Sequence, residues 1–271
     1  SLLDILENFV HVSEEKEFFF NDKTQKIDTK KKEVLIFPRY HQRDLILKFR
    51  RQVKEDSVGK NYLVQHTTGS GKSYSIGWLS HTLTSLYQKK GDTKRMFDTI
   101  IVVTDRRVLD KQIQNTIKQL EQTKGVVCPV DLDSNQLKEF LEQGKSIIVT
   151  TVQKFPVISN SISELKTKSF GVVIDEVHSS QSGETSRHLK KSLSKSILNT
   201  FNEGEEEDLT DVDKQILDEI NNRGQQSHIS YFGFSGTPKN KTLELFGRKQ
   251  ENGEFKSFDL YSINYHIDLL L

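Results

Sequence analysis

Apolar runs punctuate the chain at "YLVQH" (62–66), "DTIIVVT" (98–104), "SIIVTT" (146–151), "FGVVIDE" (170–176) and "ISYFGFS" (229–235). They are rich in β-branched residues and nearly continuous rather than alternating, the pattern of strands buried on both faces. Between them the apolar residues fall at helical spacing. Leu45, Ile46 and Phe49 share one face of "YHQRDLILKFRRQV", and Ile76, Leu79, Leu83 and Leu86 share another in a stretch that ends at Gly91. Asp105 is placed to cap a helix whose inner stripe is Leu109, Ile113, Ile117 and Leu120. A shorter helix carrying Leu137, Phe140 and Leu141 stops at Gly144. Strands alternating with helices predict an α/β fold: a doubly wound, mostly parallel sheet with helices on both faces. Before this alternation the chain opens on a helix-like stretch. The charged, turn-like "NDKTQKIDTKKKEVLIF" follows and ends in a short apolar strand at Val34 to Phe37.

Composition narrows the picture only a little. The chain has 271 residues, 34% hydrophobic and 28% charged, enough for a sizeable core. Lys+Arg at 39 against Asp+Glu at 38 leaves no basic excess, so any nucleic-acid surface must be local. Cys128 is the only cysteine, which excludes an intrachain disulfide and favours an intracellular setting. The first residues, "SLLDILENFV", lack the basic head of a signal peptide, and no apolar run approaches about 18 residues. Opening in mid-stride without an initiator Met, the chain reads as a fragment of a longer protein. The acidic stretch 203–213 and the lysines Lys190, Lys191 and Lys195 read as solvated surface.

Candidate chemistry begins at "HTTGSGKS", directly behind the first strand. A loop from a strand's end to a helix's start aims free backbone N–H groups at one point, with the helix dipole behind them. Gly69 and Gly71 give the backbone freedom to curl round phosphates, and Thr68 and Ser70 complete the loop. Lys72 adds a point charge for the β- and γ-phosphates, and the Ser73 hydroxyl is a Mg²⁺ ligand. The strict pattern asks for glycine where His66 stands. That position lies where the strand exits, so the substitution need not abolish the nest of amides. At the end of the buried strand "FGVVIDE", Asp175 suits the Mg²⁺ sphere and Glu176 the polarisation of an attacking water. "GFSGTP" then places Ser235, Gly236 and Thr237 at the end of the last strand, within reach of the carboxylates or His178.

In order along the chain, "RYHQ", "TTGSGKS", "VVTDRRVLDKQ", "VTTVQKF", "DEVH" and "SGTP" resemble the motifs of superfamily 2 helicases and translocases. "QHTTGSGKS", "TDRRVLDKQ", "TTVQKF", "DEVHSSQSGE" and "FGFSGTP" look more closely like the motor (restriction) subunit of type I restriction–modification enzymes. The resemblance implies that Gln42 and Arg39 read adenine, that Lys72 and Glu176 are catalytic, and that His178, Ser235, Gly236 and Thr237 couple hydrolysis to movement. Arg106, Arg107, Thr150, Thr151 and Lys154 become candidates for contacts to DNA phosphates. For the two arginines, a solvated first helical turn is an equal alternative. Val177 stands where the family usually has Ala, pointing away from the catalytic atoms.

Residues 1–37 would form a connecting segment to an upstream nuclease domain, 38–260 the first RecA-like motor domain, and 261–271 the start of the link to a second. The implied partners are ATP, Mg²⁺, double-stranded DNA, and the methyltransferase and specificity subunits of a type I complex. The implied setting is the bacterial or archaeal cytoplasm. No counterpart of the second motor domain, with its arginine finger, follows "SGTP", so this stretch alone is expected to turn ATP over poorly. Two alternatives stay open on the sequence: a strand-separating helicase of DNA or RNA, and a nucleotide-binding scaffold without turnover.

Overall fold

The computed structural model describes residues 2–21, 25–67, 69–104, 107–130, 134–175, 226–236, 238, 242–243, 246, 248–250, 253–256 and 259–261. Its centre is the parallel sheet expected from the apolar runs. The main strands are β3 (Asn61–His66), β4 (Thr99–Thr104), β6 (Ile147–Thr151), β7 (Phe170–Asp175) and β8 (Ile229–Ser235). With the short β5 (Val127–Pro129) and β11 (Asp259–Tyr261) they lie in the order β11-β3-β8-β7-β4-β6-β5, every neighbour pair parallel. Every residue of β4, β7 and β8 is buried, which explains why these segments read as unbroken apolar runs.

The period of two divides the strands between two cores. Tyr62, Val64, Ile100, Val102, Val173, Phe232 and Phe234 face one side; Leu63, Ile101, Val103, Val172, Ile174 and Tyr231 face the other. The first side is covered by α2 (Tyr40–Asp56), α3 (Lys72–Thr84) and α4 (Arg107–Gln119). Leu45, Ile46, Phe49, Ile76, Leu79, Ile113 and Ile117 supply the contacts, the positions expected from helical spacing. The second side is covered by α5 (Ser134–Gln143), through Leu137 and Leu141, and by α6 (Phe155–Glu164), through Ile158 and Ile162. Beneath β3 and β8, Tyr62 and Phe232 stack with centroids 5.1 Å apart and planes 12° from parallel, and Phe49 meets both edge-on.

Three local expectations need correcting. The helix after the phosphate loop ends at Thr84, not Gly91; Leu86 is buried from the following turn, where its carbonyl accepts the Met96 amide at 2.8 Å. The chain also forms the helix α6 and the three-residue strand β5, which the reading of the apolar runs did not include. Finally, "NDKTQKIDTKKKEVLIF" is not mainly a turn. It forms β2 (Lys26–Ile36), paired antiparallel over its whole length with β1 (His11–Asn21) in a ribbon separate from the main sheet. Both faces of most of this ribbon meet water, so the alternation that marks a half-buried strand is missing.

The first residues are tied to the domain behind them. Asp4, in α1 (Leu2–Asn8), accepts from Arg43 at 3.0 Å and Arg50 at 3.4 Å. Phe9 is buried against Trp78, whose indole N–H donates to the Phe9 carbonyl at 3.1 Å. The stretches holding 203–213 and Lys190, Lys191 and Lys195 lie outside the described residues. Among the described residues, no helix is long and apolar enough to cross a membrane.

Candidate nucleotide site

The phosphate loop leaves the C-terminal edge of β3 at His66 and enters α3 at Lys72. Gly69 and Gly71 both have positive φ, 79° and 81°. At Gly71 the positive φ favours glycine, and a β-carbon would fall 2.6 Å from Gln42 Nε2, so the Gln42 amide would have to move off the loop. The loop turns back on itself: the Ser70 amide donates to the Thr67 carbonyl at 3.2 Å, and the Tyr74 amide to Gly71 at 3.1 Å. Ser73 follows in the first turn of α3, half-buried.

Asp175 ends β7, separated from β3 only by β8, and its Oδ1 lies 3.8 Å from Lys72 Nζ. Both side chains are nearly enclosed, with 14% and 8% exposure. Burial lowers the Lys72 pKa from its ordinary value, and the Asp175 carboxylate offsets only part of that. An enclosed cation beside the loop favours a ligand that brings further negative charge. Polyphosphate is the matching ligand.

The N-terminus of α2 grips the loop from outside. Arg39 donates to the Gly69 carbonyl at 3.3 Å and His41 Nε2 to that of Ser70 at 2.8 Å. Gln42 Nε2 donates to the carbonyl of Gly71 at 3.0 Å, while its Oε1 accepts the Arg39 amide at 2.8 Å. "RYHQ" therefore fastens three successive loop carbonyls. The His41 contact went unread in the sequence, as did the bond from His66 Nδ1 to Ser70 Oγ at 2.9 Å; a histidine standing where the pattern wants glycine was the available signal.

The other candidates are placed as follows. Ser235 ends β8 opposite Gln65 of β3, and a β-carbon on Gly236 would lie 3.5 Å from the His66 carbonyl. The segment that begins at Gly236 and the phosphate loop thus leave the sheet side by side. Thr150 is wholly buried and offers no side-chain surface in this arrangement; Thr151 is half-buried. Lys154 donates to the Val130 carbonyl at 3.0 Å. Arg107 opens α4, but its side chain is outside the description, as are Thr68, Arg106, Glu176, His178 and Thr237 altogether.

Among the described residues, no group of three His, Cys, Asp or Glu side chains is gathered as a metal cage. The hydroxyl of Ser73 and the carboxylate of Asp175 are instead a sparse oxygen set beside the loop, which fits Mg²⁺, an ion that keeps most of its waters. A separate hollow of about 690 Å³ lies near the C-terminal end of α3, around Trp78, His81 and Lys89. Its inner polar groups are already committed, His81 to the Ile117 carbonyl and Trp78 to that of Phe9.

The chain is similar to proteins that are already known. The chain is 25% identical over 204 residues to the endonuclease subunit of a type I restriction enzyme of Staphylococcus aureus (strain MSSA476), a match covering 70% of this chain and 17% of that protein. It is 30% identical over 198 residues to the corresponding subunit of the Haemophilus influenzae (strain Rd) HindI enzyme, covering 68% and 16%. The chain therefore spans about a sixth of the length of these relatives. In fold it is similar to a nuclease-deletion mutant of the type ISP restriction–modification enzyme LlaGI, solved with a DNA substrate mimic. That likeness has a TM-score of 0.51 at 13% identity, over 86% of this chain and 20% of that one. These relatives bear out the resemblance read from the motifs. The family description SWI2/SNF2 ATPase matches residues 41–202, more than half of the chain and all of the phosphate loop and Asp175 strand. By that match the chain belongs to the SWI2/SNF2 ATPase family.

Proposed function

We propose that this chain supplies the first RecA-like motor domain of an ATP-driven double-stranded DNA translocase, within the motor subunit of a type I restriction enzyme. The observation that carries the proposal is the convergence of Lys72 and Asp175, 3.8 Å apart, at the mouth of the loop between β3 and α3. In this reading residues 38–260 form the motor domain, 1–37 connect it to a nuclease domain, and 261–271 lead toward a second motor domain. The relatives' names as endonuclease subunits support the wider assignment. The working partners are double-stranded DNA, gripped through its phosphates, and methyltransferase and specificity subunits, in a bacterial or archaeal cytoplasm.

The division of labour follows from the site. The loop amides and Lys72 hold the β- and γ-phosphates. Ser73 and Asp175 would hold Mg²⁺, which would supply positive charge against that of the phosphates. Glu176 is assigned the attacking water, and Gln42 with Arg39 the adenine. From Gly236, the segment carrying Thr237 relays the state of the loop outward, toward DNA-facing residues such as Lys154.

Phosphate release tests this directly. The chain alone should bind ATP but turn over little, because an arginine finger from a second domain supplies about 10³–10⁵ in rate. The full-length protein should hydrolyse ATP when double-stranded DNA is added. Lys72→Ala should weaken binding at least about a hundredfold, the loss of a charge-assisted contact in an enclosed site. Undiminished affinity in that variant would sink the nucleotide site. Strand displacement without triplex displacement by the full-length protein would make it a strand-separating helicase instead.

A further inference from the structure

His66 stands in the first position of the phosphate-loop pattern, where glycine belongs, and is wholly buried at the end of β3. Its Nδ1 lies 2.9 Å from Ser70 Oγ. The Ser70 hydroxyl proton is already given to the Thr67 carbonyl at 2.6 Å, so Ser70 Oγ can only accept from the ring. His66 therefore carries its proton on Nδ1. His41 engages a different atom of the same residue: its Nε2 faces the Ser70 carbonyl at 2.8 Å, an acceptor only, so His41 carries its proton on Nε2. The two rings meet edge-on at 5.6 Å, and His66 meets Phe234 of β8 edge-on at 6.0 Å.

We infer that His41 and His66 are positioning residues of the ATPase: a pair of imidazoles of opposite tautomer that clamp Ser70 by its carbonyl and its hydroxyl and set the phosphate loop in its binding shape. Resting on the reading of the loop as a nucleotide site, the clamp does what the missing glycine cannot. A glycine at that position leaves the loop free to sample other curls, whereas these rings tie its middle residue to α2 through His41 and to β3 through His66, which in turn meets Phe234 of β8. Ser70 accordingly gives its hydroxyl to the protein rather than to phosphate. The enclosed ring of His66 is held neutral, its pKa lowered to about 3 by burial first and then by His41 and Lys72, so it adds no cation to compete with Lys72. Because the loop shape is needed equally for bound nucleotide and for the transition state, the clamp acts on binding more than on the chemical step.

The opposite tautomers make the test specific. Asn places its N–H where Nδ1 lies, and Gln reaches to where Nε2 lies. With a fluorescent ATP analogue on this chain and steady-state kinetics on the full-length protein, His66→Phe should raise Kd and KM for ATP about tenfold, the loss of one buried hydrogen bond, while kcat stays within about twofold. His66→Asn should restore affinity and His66→Gln should not; at His41 the order should reverse, with Gln rescuing and Asn failing. In a Ser70→Ala background His66→Phe should add nothing further. Equal rescue by Asn and Gln, additivity with Ser70→Ala, or a fall in kcat at constant KM would overturn the clamp. Should His66→Phe fail to fold, the ¹⁵N spectrum of the wild-type chain decides: a proton on His66 Nδ1 at neutral pH supports the clamp, and one on Nε2 refutes it. Loss of binding in Lys72→Ala beside wild-type affinity in His66→Phe defeats the clamp alone. Unchanged affinity in Lys72→Ala defeats the nucleotide site beneath it.

Discussion

The phosphate loop and the β1–β2 ribbon are built on opposite terms. Around the loop, Arg39, His41, Gln42, His66 and Asp175 each reach a defined partner, and all but Arg39 are buried. Along the ribbon the side chains stand in water. Val12, Phe18, Phe20, Ile27 and Leu35 are all more than half exposed, and the cross-strand ion pairs Glu17–Lys30 (3.2 Å) and Glu14–Lys31 (2.8 Å) lie on the surface. Buried polar contacts are exacting because a lost partner leaves a stranded group; exposed ones are forgiving because water replaces the partner. Order in the first region is therefore set by chemistry at single atoms, and in the second by backbone pairing.

Substitutions should expose this contrast. The largest effect is expected in the platform under the loop: Phe232→Ala removes a ring that stacks on Tyr62 and meets Phe49 and Phe97, and should cost about 3–5 kcal/mol in denaturant unfolding. A loss under 1 kcal/mol would mean that the stack is not the support described. Next comes acid. The folded His66 pKa of about 3 lies below its ordinary 6.5, so stability is complete above the ordinary value and falls as pH drops toward the folded one, the unfolded chain taking up a proton the folded chain refuses. His66→Asn should flatten that fall in melts between pH 7 and 4.

Alkali acts on function. With its pKa lowered, Lys72 loses its charge at a lower pH than an ordinary lysine, so ATP affinity should decline on the basic side before that range is reached. Affinity that holds flat through it would contradict the burial described. The smallest effect belongs to the ribbon. Glu17→Ala should change stability by about 1 kcal/mol or less and leave ATP affinity untouched. A larger loss would show that the ribbon is braced by more than its own pairing.

Legibility in the sequence follows the same division. The strands 99–104, 170–175 and 229–235 announced themselves because burial on both faces leaves only one kind of residue. Lys72 and Asp175 were readable because phosphate chemistry demands those groups behind such strands, and the structure brings them together. The ribbon was hidden since a segment wet on both faces bears no periodicity, and its partner strand lies elsewhere in the chain. The histidine pair was hidden for another reason: a tautomer is fixed by neighbours from separate elements, here α2 and β3, which no spacing rule links. Thr150 shows the limit of motif transfer, since a residue matched to a contact motif is sealed inside the sheet.

The interlocked aromatic platform beneath β3 and β8 has a mechanical consequence. Two adjoining strands bonded along their backbones and locked by rings on one face behave as a stiff plank. Beyond its end the two strands lead into the phosphate loop and, beside it, the segment that begins at Gly236. Under the proposed function, work done at the first would have a single inter-strand gap to cross to reach the second.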